Sequence, residues 1–179
     1  MAVSQPHVSS AHASADVRRS FDDVFAEYAG FVARALAHFG VARSDVEDVC
    51  QEVFVVVHDK LADLENHDRL RTWVYGIAWR TAANHRRRAQ RRAREPLLEE
   101  PATPASQERR VELSRAADRL AEILRALDDD KRAVFVLYEI EELSMREVVE
   151  VLGCPLQTGY SRLRAARELV QRTWKGGHR

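Results

Sequence analysis

Three short segments of this chain carry residue types whose spacing implies binding chemistry, and none of them has the makings of a catalytic centre. In the run Asp45-Val46-Glu47-Asp48-Val49-Cys50-Gln51-Glu52, three carboxylates (Asp45, Asp48 and Glu52) fall at three- and four-residue steps, with Gln51 beside them. On a helix that spacing places them on one face, where like charges repel by a few tenths of a kcal/mol per pair. A cationic partner would offset that repulsion; a simply solvated face is the plainer alternative. From Leu70 to Arg94, the aromatic residues Trp73, Tyr75 and Trp79 are interleaved with Arg71, Arg80 and the run Arg86-Arg87-Arg88. Aromatic rings stack on unpaired bases while guanidinium groups hold phosphates, which is how single strands are gripped. Trp73 lies on an apolar stripe and reads as core with its rim available, whereas Trp79 lies off the stripe and is the better stacking candidate. From Ser144 to Arg167, a two-turn helix, a glycine-containing turn and an arginine-rich helix follow the helix-turn-helix pattern. There Tyr160, Ser161 and Arg164 would project away from the buried Leu163 and Ala166, and an arginine can pair with both acceptors of a guanine edge or with phosphate. An αα-hairpin with a basic surface fits the same pattern.

Catalysis finds little support. Glu47, Asp48 and His58 are the acid–base candidates, but no second histidine or cysteine stands near them at metal-ligand spacing. The seven histidines are scattered over the chain. The expectation is a protein that is not an enzyme, with no cofactor, no metal and no small-molecule substrate.

The elements that position these segments are helices. Ser20 with Asp23 opens the first, and Phe21, Val24, Phe25, Tyr28, Val32, Ala35, Leu36 and Phe39 form one apolar stripe. Gly40 is placed to stop it. Ser44 and Glu47 read as a capping box for a second helix with the stripe Val46, Val49, Cys50, Val53, Phe54 and Val57. Taken alone, Val53 to Val57 resembles a buried strand, because β-branched residues suit sheets; the cap and the preceding period favour helix. Residues 59 to 69 lose the period and read as a loop, after which Leu70, Trp73, Val74, Ile77, Ala78 and Thr81 set a long helix. Three prolines (Pro96, Pro101 and Pro104) mark residues 95 to 110 as a linker between two domains. A linker of this composition predicts a loose mutual orientation of the halves.

Beyond the linker, Leu113, Ala116, Ala117, Leu120, Ile123, Leu124 and Leu127 form a stripe ended by Asp128-Asp129-Asp130, and Val134, Phe135, Leu137 and Tyr138 form the next. Ser144 and Glu147 make another capping box, Gly153 ends that short helix, Pro155 breaks the chain, and Thr158 reads as the cap of a last helix carrying Leu163, Ala166, Val170 and Trp174. With no strand signal surviving, the expected fold is all-α: two small helical domains, 20–94 and 111–179, joined by a flexible linker over 95–110, with a disordered tail over 1–19.

Charge follows the same division. The formal net charge of the 179 residues is zero, yet Met1 to Arg69 carries −6, Leu70 to Arg94 +8, Glu95 to Ser114 −3, Arg115 to Thr158 −4 and Gly159 to Arg179 +5. Two separate basic segments, each at the end of a helical pattern, suit a neutral protein that touches a polyanion in two places. No apolar run approaches bilayer length, and residues 1 to 15 lack the pattern of a secretory signal. Two distant cysteines, Cys50 and Cys154, offer no disulfide framework, so the expected location is the cytoplasm.

The run D-V-E-D-V-C-Q-E-V-F, then R-T-W-V-Y-G-I-A-W-R after a loop, then the arginine run, resembles region two of the bacterial RNA polymerase sigma factors. The stretch from Leu124 to Arg167 resembles region four. With these two regions and a short linker, the chain is similar to the extracytoplasmic-function (ECF) group. The resemblance implies a sigma factor that binds core polymerase, through the clamp of the largest subunit and the flap of the second, and directs initiation at promoter DNA. It implies polymerase contacts at Asp45, Asp48, Gln51 and Glu52. It implies minus-ten recognition and melting by residues around Asp63 to Arg69 together with Arg71, Trp73, Tyr75, Trp79, Arg80, Asn84 and Arg87. It implies minus-thirty-five recognition by Thr158, Tyr160, Ser161, Arg162 and Arg164, and control by an anti-sigma factor. A helix-turn-helix regulator that never joins polymerase would explain Ser144 to Arg167 but not the other two segments.

The chain also departs from the family pattern. Arg80 stands where Asn is frequent, Asn84 where Asp is, and Asp128 where Pro is common. Gln157, Gly159 and Tyr160 replace the usual Gly, Val and Lys. Val149 sits where a helix-turn-helix usually holds a small residue, and Gly159 costs helix stability by about 1 kcal/mol against Ala. These changes bear on the promoter sequence and on the angle between the two helices.

Overall fold

The computed structural model describes residues 19–92 and 119–176, with side chains through Trp174, and within them every regular element is helical. All of the expected tail over 1–19 but Arg19, the whole of the linker over 95–110, and the stripe residues Leu113, Ala116 and Ala117 lie outside the described residues. Helix α1 (Phe21–His38) begins where the Ser20 side chain accepts a hydrogen bond from the Asp23 amide, and it ends at Gly40, whose φ of 88° is the left-handed conformation only glycine adopts freely. Its stripe buries Val24, Tyr28, Val32, Ala35 and Leu36. Helix α2 (Val46–Lys60) contains the Val53–Val57 run whole, so the helical period prevails over β-propensity. The capping box expected at Ser44 does not form. Asp45 occupies the N-cap without a side-chain cap bond, because the Ser44 hydroxyl donates to the Asp45 carboxylate instead of accepting from the Glu47 amide.

Residues 61 to 69 are two single 3-10 turns, Leu61–Asp63 and His67–Arg69, the second capped by the Asn66 side chain. The loop expected at 59–69 is thus partly helical, and α2 runs on through Lys60. Helix α3 (Leu70–Arg92) then packs on both α1 and α2. In the second half, a helix (α4) covers residues 119–125. Asp128 caps α5 (Asp129–Phe135) by accepting from the Lys131 amide, and α5 continues into a π turn, Val136–Ile140. Helix α6 (Met145–Leu152) has the complete capping box between Ser144 and Glu147 and ends on Gly153 in the left-handed conformation. Helix α7 (Leu156–Gly176) starts two residues before Thr158, whose expected cap is therefore not used. The Pro155 carbonyl accepts the first turn's bond from the Gly159 amide, so the helix opens at the proline break itself.

The two halves are in contact. Helix α3 packs against α6, and the buried side chains of both halves join in one apolar core. A loose orientation follows from linker composition alone; what opposes it is a set of complementary charges on α3 and on the α5–α6 segment, which the linker does not reveal.

Candidate nucleic-acid interface

The acidic segment divides in two. Asp48, Gln51 and Glu52 are exposed on α2, and neither carboxylate takes part in an ion pair among the described residues. Asp45 is instead tied down: its carboxylate lies 2.8 Å from Nε2 of His85 on α3. The Ser44 hydroxyl and His85 together hold the Asp45 carboxyl below the usual range. One turn beyond the acidic row, Val55 is 60% exposed, an apolar residue at the surface. The exposed face of α2 is therefore acidic with one apolar residue beside it.

The aromatic and basic segment is more deeply built in. Tyr75 is 1% exposed, and its hydroxyl donates to the Glu141 carboxylate of the second half. Burial, then Glu141, pushes the Tyr75 phenol far above its ordinary range, so it remains a donor. Trp73 is half-buried, as its place on the stripe predicts. Trp79 is also half-buried: its ring meets Phe39 edge-on at 5.3 Å and lies under the Arg86 guanidinium at 5.3 Å. The side chain expected to stack on bases is thus braced between two neighbours. Arg71, Arg80, Asn84 and Arg87 are exposed. Arg86, in the middle of the arginine run, is buried; it donates to the Phe39 carbonyl and pairs with Asp129 at 3.1 Å. A run of like charges hid this one, since composition cannot say which arginine of three turns inward.

In the helix-turn-helix, the order of elements is as expected. Tyr160, Ser161 and Arg164 are exposed on α7 opposite the buried Leu163 and Ala166. Arg164 pairs along its own helix with Glu168 at 3.1 Å. Arg162 points back into the domain, where it meets Asp130 at the start of α5, and Thr158 is half-buried. Gln157, exposed one turn before Tyr160 and Ser161, shares their face; spacing alone marks it only as a departure from the family pattern.

The two departures at the helix crossing explain each other. A Cβ at Gly159 would lie 2.6 Å from Val149 Cγ1 and 2.8 Å from Met145 Sδ. Real carbon contacts are never that short, so Val149 fills the space that a side chain at 159 would take. The large and small residues have exchanged helices, and α6 and α7 still pack closely.

Comparison with known proteins agrees with this geometry. The family model described as Sigma-70 region 2 matches residues 24–92, and the one described as Sigma-70, region 4 matches residues 117–170. The RNA polymerase sigma factor YlaC of Bacillus subtilis is 30% identical over 84% of this chain and 89% of its own length. The ECF RNA polymerase sigma-E factor of Haemophilus influenzae is 29% identical over 86% of this chain and 87% of its own length. Among solved structures, CnrH in complex with the cytosolic domain of CnrY superposes with a TM-score of 0.65 at 26% identity, covering 87% of this chain and 88% of that one. With both regions matched in order on the halves described above, the chain belongs to the extracytoplasmic-function RNA polymerase sigma factors.

Proposed function

We propose that this chain joins core RNA polymerase through the exposed acidic face of α2, opens the minus-ten element with α3, and reads the minus-thirty-five element with α7. The observation that carries the proposal is the presence, in one chain, of an unpaired acidic row, an arginine–aromatic helix and a helix-turn-helix. Asp48, Gln51 and Glu52 offer carboxylates and an amide to a basic helical surface of polymerase, with Asp45 shaping the start of their helix. Arg71, Arg80, Asn84 and Arg87 supply donors for the displaced strand, and Trp73, Tyr75 and Trp79 form the ring layer beneath them. The segment from Asp63 to Arg69 leads into that helix and borders the same surface. On α7, Tyr160, Ser161 and Arg164 face the major groove, Arg162 and Thr158 brace the helix, and Gln157 extends the reading face by one turn. Glutamine can pair bidentately with adenine, as arginine does with guanine.

Such a factor works in the cytoplasm, without catalytic chemistry of its own, under the control of an anti-sigma partner; the similar CnrH is found in complex with another protein, the cytosolic domain of CnrY. The deciding experiment is transcription in vitro. Purified chain added to core polymerase should yield transcripts starting at a defined site on promoter-containing genomic fragments. Binding to those fragments with no transcript under any core-to-chain ratio would leave a DNA-binding regulator that does not join polymerase.

A further inference from the structure

Where the two halves meet, cations face carboxylates: Arg69 pairs with Glu150 at 2.7 Å, and Asp129 lies 3.1 Å from Arg86 and 3.5 Å from Arg132. One stretch of the border has cations on both sides instead. There α1, the turn at Gly40 and the start of α2 stand across from α4 over a cleft of about 870 Å³. Arg34 and Arg43 line it from the first half and Arg125 from the second. All three are exposed, and none is ion-paired among the described residues; Arg34 lies over the Phe31 ring at 4.7 Å. In a chain whose charges balance, guanidinium groups gathered without counter-ions leave a positive potential in the cleft, and its low-dielectric walls focus that field.

Between the arginines the lining is aliphatic, with Ala37, Val41, Val46 and Leu124. Two other polar side chains reach the cleft, and both have partners of their own. Arg132 donates to the Phe39, Leu124 and Leu127 carbonyls, and His38 stands 3.9 Å from the Glu141 carboxylate. Gly40 admits Arg132 to the turn, because a side chain there would meet the guanidinium. Among the described lining residues there is no Asp, Glu, Asn, Gln, Ser or Thr, and no ring but the His38 imidazole. A nucleobase is recognised by hydrogen-bonding edges and stacking rings, and this lining lacks both. An aliphatic chain needs only an apolar wall, and a carboxylate needs only donors, which the guanidinium fork supplies in matching geometry. The volume is that of sites that take small organic ligands.

We propose that this cleft binds a single-chain acyl carboxylate, its chain against Ala37, Val41, Val46 and Leu124 and its head group on the guanidinium groups of Arg34, Arg43 and Arg125. None of these residues belongs to the surfaces assigned above to polymerase or to promoter DNA, so the site is separate from both. Its walls come from both halves, α1 and α2 on one side and α4 on the other. A bound acyl anion therefore touches both halves at once, which gives a small molecule a place to act on the chain independently of any protein partner.

The test is calorimetric titration of the full chain with laurate below its micelle concentration. Acetate and dodecyltrimethylammonium serve as probes that keep only the head group or only the chain. Laurate should bind at a single site, at least about tenfold more tightly than either probe, since each lacks one of the two contacts. Arg43→Glu with Arg125→Glu should weaken laurate binding by about tenfold or more, the scale of losing charge-assisted hydrogen bonds. Lys60→Glu with Arg146→Glu makes the same change of net charge at exposed positions that do not line the cleft, and it should leave binding unchanged. Ala37→Trp, at an exposed position, fills the apolar lining without altering charge. It should also remove binding, and it decides the matter if the double arginine variant loses helical content by circular dichroism. Absence of laurate binding, equal binding of the cationic probe, or binding that survives the cleft variants as it survives the control would overturn the proposal.

Discussion

Two helices of the first half carry opposite charge and meet opposite circumstances. On α2 the carboxylates of Asp48 and Glu52 are exposed and outside any ion pair among the described residues, whereas at the start of α3 Arg69, Thr72 and Tyr75 are each bonded to a glutamate of the second half. Both surfaces are suited to binding, yet only the acidic row on α2 is without partners among the described residues. The difference lies in the partner each has within the chain: acidic residues outnumber basic ones in the stretch 115–158 by four, and they complement α3 but would repel α2. Charge segregation along a sequence therefore does more than mark external partners. It also selects which surface the molecule closes upon.

The comparison is broken most directly at α2. Asp48→Arg with Glu52→Arg should abolish association with core polymerase while leaving helical content by circular dichroism unchanged, because neither side chain supports the fold. Charge reversal at close complementary pairs costs several kcal/mol, enough to remove the complex from co-purification. Retained co-purification would move the docking face elsewhere. At the other end of the chain, Arg164→Ala should weaken binding to duplex containing the upstream element by about 1–3 kcal/mol and relax preference at one position. Arg162→Ala should act mainly on stability, since its guanidinium is engaged with Asp130. A selection experiment on both variants separates the outcomes, and equal loss of base preference from the two would contradict the orientation of α7.

Smaller effects sharpen the account of how the second half is held. Gly159→Val alone should destabilise by about 1–3 kcal/mol through overpacking, and Val149→Ala in the same chain should recover most of the loss. Chemical denaturation of the two single variants and the double variant measures that coupling; additive losses would mean that the pair does not share the space between α6 and α7. Ser144→Ala should cost about 1 kcal/mol, as loss of a working helix cap does. It should also loosen Glu147, which both completes the cap and accepts from Thr72. Ser44→Ala, at the matching signature that forms no cap, should cost less than half as much on the same cap scale.

Acid should affect the closed arrangement least and last. Burial alone would raise the Glu141 carboxyl, but His38, the Tyr75 hydroxyl and the nearby Arg34 outweigh it and hold the group below its ordinary range. Arg71 faces it from α3 as well, through the backbone. A group depressed in the closed state stabilises that state above its ordinary pKa, and the stabilisation is lost as pH falls through the depressed value. Scattering across an acid titration should show the halves still together near neutral pH and separating only well into the acid range, if the chain has not unfolded first by circular dichroism. Separation in mildly acidic buffer would assign the closure to another group.

Periodicity, caps and breakers determined most of the local structure. The apolar stripes of α1, α2 and α3, the stop at Gly40, the capping box at Ser144 and the left-handed Gly153 all follow from spacings within one or two turns, because helix geometry brings only near neighbours together. The exposed carboxylates of α2 and the outward Tyr160, Ser161 and Arg164 were legible for the same reason, since a stripe that is buried on one side names the residues on the other. Only the tertiary structure decided the rest. Ser44-x-x-Glu47 and Ser144-x-x-Glu147 share a signature, yet Asp45 captured the first serine and left the second signature alone to close its box. Arg86 turns inward while Arg87 and Arg88 remain outside, and Tyr75 ends beneath Glu141, 66 residues away. Such pairings depend on which distant donors and acceptors arrive at the same place, and a buried charge or hydroxyl accepts whichever partner spares it from standing unpaired. No spacing along the chain encodes that choice.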